Sequence, residues 1–68
     1  MIPKLNTFWY SEKQNSVIYI SEYYYQGTGD KAHVSHIKVA DFATLKTLYF
    51  SVKDIQAAID SGKLIQVG

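Results

Sequence analysis

The chain has no cysteine and no arginine, and its only proline is Pro3. Each absence excludes something. Without cysteine there are no disulfides and no thiolate metal ligands, and nothing points to an oxidising compartment. Without arginine the bidentate reader of phosphate, carboxylate and guanine is missing; lysine supplies only a point charge. Beyond Pro3 no proline interrupts the chain. No apolar run approaches the roughly 18 residues of a membrane helix. The opening MIPKLNTFWYSEK lacks the long apolar core of a secretion signal. The expectation is a soluble, cytoplasmic protein with no membrane contact.

At 68 residues the chain is long enough for one domain, 1–68. A chain this short buries only about 60% of its unfolded surface. The usual supports are disulfides, a metal or oligomerisation. With cysteine absent, oligomerisation is the natural route, and a homodimer is expected. The formal charge is +1, from seven basic and six acidic residues. The lysines (Lys4, Lys13, Lys31, Lys38, Lys46, Lys53 and Lys63) are scattered and form no stripe of the kind that grips duplex DNA.

What the chain does have is aromatic residues, chiefly six tyrosines, three of them consecutive in SEYYYQGTGDKAHVSH, residues 21–36. NTFWYS (6–11) is aromatic and β-prone, SEKQNS is turn-like, and VIYISEYYYQ (17–26) is the strongest strand. QGTGDK supplies a turn with two glycines, and AHVSHIKVA (32–40) reads as a third strand. Asp41 is a candidate helix N-cap, with Phe42, Leu45 and Tyr49 at helical spacing, although TLYF equally fits a strand. A firmer helix follows, capped by Ser51 with Asp54 at its third position. Val52, Ile55, Ala58 and Ile59 form its apolar stripe, and Gly62 suits its C′ position. KLIQV (63–67) closes the chain as a short strand. The pattern predicts an α+β fold: a three-stranded antiparallel β-meander with one or two helices packed on one face and a short C-terminal strand.

With the QGTGDK turn centred, Tyr25 opposes Ala32, Tyr23 opposes Val34, Ser21 opposes His36 and Tyr19 opposes Lys38. Side chains alternate along strands, so one face collects Phe8, Tyr10, Val17, Tyr19, Tyr23, Tyr25 and Val34, with His36 and Lys38 at its end. The other face carries Trp9, Ile18, Ile20, Ile37 and Val39, the expected core, with Tyr24 and His33 beyond them. A slip of one residue would exchange the faces. One helix layer cannot cover both faces, so an aromatic face is left over, and large exposed apolar patches mark interaction sites. Phe8, Tyr10, Tyr19, Tyr23, Tyr25, His36 and Lys38 are the expected partner-binding residues.

Other chemistries find little support. His33 and His36 are three apart, which places them on opposite faces of a regular strand, so no shared metal is expected. GTGDK lacks the spaced glycines and the ending of a phosphate loop, and it precedes a strand. There is no nucleophile elbow and no paired carboxylate, so neither catalysis nor a cofactor is expected. The expected role is non-catalytic binding through a protein–protein interface. Small accessory proteins have this profile, including inhibitors of host proteins encoded by viruses or mobile elements. The alternative is a single-stranded nucleic-acid-binding protein that stacks bases on the same tyrosines.

Overall fold

Alternation of apolar and polar side chains builds most of this molecule. The computed structural model describes residues 2–68. Five strands, β1 (Phe8–Ser11), β2 (Ser16–Gln26), β3 (His33–Asp41), β4 (Lys46–Ser51) and β5 (Leu64–Gln66), form one antiparallel sheet in the order β4-β3-β2-β1-β5. The helix α1 (Val52–Asp60) joins the two edge strands. The class is α+β as expected, but the sheet has five strands rather than three plus a tail.

The difference begins at Asp41. It does not cap a helix. Its carboxylate accepts from the Ala43 N–H at 2.9 Å, folding the chain into a tight turn. The backbone then comes back as β4, in which Leu48 and Phe50 turn to the core while Thr47 and Tyr49 turn away. A period of two wins over the helical spacing of Phe42, Leu45 and Tyr49 because β3 offers a pairing edge. Asp41 is itself buried and also accepts from the Ser16 hydroxyl at 2.7 Å, tying the β3–β4 turn to β2. These hydrogen bonds, Ser16 first, hold its carboxyl below the usual value of 3.8.

The helix follows its local signals. Ser51 Oγ accepts from the Asp54 N–H at 3.1 Å. At the other end Gly62, at φ 76°, donates to Ile59 O and Lys63 donates to Ala58 O, the paired bonds of a Schellman ending. Ile55 is buried, and Val52, Ala58 and Ile59 pack beside it against the sheet.

Trp9, Ile18, Ile20, Ile37 and Val39, the residues read as the core face, are all buried, joined by Ile55 and Leu64. Pro3 is buried too and accepts from the Tyr23 hydroxyl at 2.5 Å, so the N-terminal segment crosses the same side as the helix. A helix of 9 residues is about 13 Å long, whereas five strands span about 19 Å. It can cover only part of one face. No helix among the described residues is long and apolar enough to cross a membrane.

Candidate binding face

Two bulges decide which side chains reach the uncovered face. From Ile18 to Ile20 the β2–β3 pairing runs Ile18↔Asp41, Tyr19↔Ala40 and Ile20↔Val39. This is two residues away from the expected register, so these residues keep their expected faces. At Ser21 the register shifts, and the pairs become Glu22↔Lys38, Tyr23↔Ile37 and Tyr24↔His36. The extra residue exchanges the faces of the rest of β2. Tyr23 now sits over Ile37 on the helix side, half-buried against the core. Tyr25 stays on that side too, packed edge-on to Tyr23 at 6.4 Å and 64% exposed. Tyr24 goes to the outer face.

Of the expected residues, Phe8, Tyr10, Tyr19, His36 and Lys38 therefore share the outer face, while Tyr23 and Tyr25 lie on the opposite side. The structure adds Tyr24, Phe42, Tyr49 and Ile65 to the outer face. Ile65 was legible as an alternating position of the last strand, whereas Tyr49 fits a helix as well as a strand. Tyr24 was not legible, because Ser21 is an ordinary residue that gives no sign of a bulge.

The outer face holds two aromatic groups. Beside the β3–β4 turn, the Phe8 ring lies 5.0 Å from Tyr19 and stacks on Phe42 at 5.8 Å. Toward the other end Tyr24 and Tyr49 meet at 5.8 Å. Between them Lys38 pairs with Glu22 at 3.7 Å. Phe42 is 49% and Tyr49 59% exposed, so neither spends its apolar area within the chain. The Tyr10 hydroxyl donates to Asn15 Oδ1 at 2.7 Å, and that of Tyr19 donates to Asn6 Oδ1. Both asparagines occupy left-handed backbone positions, so these two tyrosines brace the turns as well as the face. Tyr24 is held above the ordinary 10.0 by desolvation, then by the negative charge of Glu22, and then by the hydrogen bond and charge of Tyr49. It presents a neutral phenol.

A second irregularity, between Tyr24 and Tyr25, leaves Ser35 unpaired. His33 then opposes Gln26 and His36 opposes Tyr24, on the same face rather than on opposite ones. They line a shallow groove of about 400 Å³ beside the start of α1, with Ser51, Lys53 and Gln56. Among the described residues no group of three or more His, Cys, Asp or Glu side chains converges to hold a metal. A second cleft of about 300 Å³ lies between Ile55 and Ala58 of α1 and Ile18 and Leu64 of the sheet, with Lys13 and Lys63 among its lining residues. It is the gap that a short helix leaves over a wide sheet.

The chain matches no family model, no curated protein and no solved structure. The functional reading rests on its own residues.

Proposed function

We propose that this chain is a non-catalytic accessory protein that binds another protein through the outer face of its sheet. The observation that supports this reading is the uncovered aromatic surface formed by Phe8, Phe42, Tyr24 and Tyr49. Rigid aromatic side chains give a large contact area at small entropic cost, and they dominate interface energetics. The charge on the face argues for protein over nucleic acid. Lys38 is already paired with Glu22, and the chain carries a net charge of only +1 without arginine. Few phosphates can be neutralised, and phosphate contacts supply most nucleic-acid affinity. Occlusion of a host protein by such a face is the role that suits so small a chain.

The test combines two titrations. Labelled single-stranded DNA is titrated at low and near-physiological salt; no binding is expected at either. A partner isolated on the wild-type chain is then purified and titrated against a triple variant, Phe42→Ser, Tyr24→Ser and Tyr49→Ser. Losing such aromatic anchors should weaken binding by about 30-fold or more. Unchanged affinity in a folded triple variant would remove the face from the reading. Micromolar DNA binding that collapses with salt would replace a protein partner with stacked bases.

A further inference from the structure

We propose that two copies of the chain pair edge to edge through β4, antiparallel about a two-fold axis, to make one ten-stranded sheet. The proposal deepens the binding reading by naming a second copy as one partner and assigning it the β4 edge, which meets the aromatic face at Tyr49.

The direction of the backbone groups carries the argument. The Phe42 N–H donates to Val17 O at 3.1 Å, so Phe42 faces β2. Successive residues of a strand direct their N–H and C=O to opposite sides. Asp41, Val39 and Ile37 therefore face β4 and engage Lys46, Leu48 and Phe50, their register partners. Thr47 and Tyr49 are left with both backbone groups pointing away from the sheet, at an edge with no neighbour among the described residues. Ser51 points the same way, but as the helix N-cap its carbonyl already serves α1.

This edge lacks the usual protections. Natural sheets blunt an exposed edge with proline, charge, a bulge or brevity. β4 has six residues, no proline and no bulge, and its one charge is at the first position, Lys46. Thr47, Leu48, Tyr49 and Phe50 favour strand. The opposite edge, β5, is only three residues long. Pairing β4 with β4 is isologous and closes at two copies, whereas β4 on β5 would propagate without end.

The register follows from the same geometry. For both copies to keep a common outer face, opposed residues must have the same parity. Setting Leu48 opposite Leu48 of the second copy pairs each Thr47 with a Tyr49. This uses every backbone group that faces fully outward. Lys46 then opposes Phe50, leaving the two lysines about 13 Å apart along the strands, beyond the roughly 8 Å screening length at physiological salt. Leu45, 86% exposed in the single chain, comes opposite Ser51 of the second copy. A stable interface covers about 800 Å² per partner, a sixth of the 4587 Å² of this chain. The six strand positions and their flanks at Leu45 and Val52 lie along that contact. The outer faces become continuous, so the Tyr24–Tyr49 groups of the two copies flank the axis.

The experiment is sedimentation of the full chain from low micromolar to submillimolar concentration, for wild type and for Thr47→Pro. Proline at 47 removes an N–H that no bond inside the chain uses, and it leaves the outer aromatic rings in place. The wild type is expected to reach twice the 7.7 kDa chain mass. Thr47→Pro, with unchanged Trp9 emission, is expected to dimerise at least roughly 30-fold more weakly, because symmetry removes two hydrogen bonds. A wild type that stays monomeric throughout, or a folded Thr47→Pro that dimerises normally, overturns the proposal. Hydrogen exchange on the wild type covers the case in which the variant does not fold. The Thr47 and Tyr49 amides should become protected as the dimer forms, while those of Leu48 and Phe50 are protected throughout. Rapid exchange of Thr47 and Tyr49 in the dimer overturns the proposal. Phe42→Ser and Tyr24→Ser lie off β4 and test the face separately, so loss of either reading is visible alone.

Discussion

Replacing Leu45 with asparagine is expected to stabilise the monomeric chain. Leu45 ends the β3–β4 turn at φ 59°, in the left-handed region. An L-residue pays roughly 1–2 kcal/mol there, and asparagine pays less because its short side chain bonds locally. The packing that Leu45 gives in return is small. Full burial of a leucine is worth about 1.5–3 kcal/mol, and Leu45 is 86% exposed, so its contacts contribute about 0.2–0.4 kcal/mol. The conformational term wins, and a gain of roughly 0.5–1 kcal/mol follows. In a domain this small that raises the Tm by about 2–8 °C. The β1–β2 turn provides the control, because its last residue, Asn15, takes the same conformation at φ 51°. Asn15→Leu should destabilise by a comparable amount or more, since it also removes the acceptor of the Tyr10 hydroxyl. Urea unfolding followed by Trp9, which is unique and 3% exposed, reads both at low micromolar concentration. A loss of stability in Leu45→Asn would refute the reasoning. A gain would mean that this leucine is held against a local cost the single chain does not recover, as expected of a residue kept for a contact outside it.

Two further predictions test the turns. Gly27→Ala should destabilise by at least about 1–2 kcal/mol, because φ is 88° and an added Cβ would run into the Lys31 carbonyl oxygen; thermal unfolding checks it, and a neutral result would mean the β2–β3 turn re-forms in another conformation. Asp41 should make the fold acid-sensitive. Its folded carboxyl lies below the ordinary 3.8 because of Ser16 and the turn amides, so its contribution is present above 3.8 and is lost as pH falls through the folded value. Stability measured down through that range should drop less steeply in Ser16→Ala than in wild type, and parallel profiles would exclude the Ser16–Asp41 bond as the cause.

Much of the fold was legible. Trp9, Ile18, Ile20, Ile37 and Val39 alternate with polar neighbours, and period two places them on one face whatever the strand order. The helix was legible from Ser51 to Gly62 because its cap, stripe and ending are local signals. Asp41–Ser51 was ambiguous, because an aspartate can cap a helix or close a turn and the segment itself fits either period. Of the expected partner-binding residues, Phe8, Tyr10, Tyr19, His36 and Lys38 occupy one face. Alternation carried straight through Ser21 would put Tyr23 and Tyr25 there too, but the structure inserts a bulge at Ser21.

Composition and patterns a few residues long set the class, the core face, the firm helix and the surplus of aromatic surface. Which tyrosines form that surface, and which strand lies open at the edge, came from how the strands pair. Both depend on pairing between residues far apart in the chain, where one unpaired serine exchanges the faces of the residues that follow it in its strand.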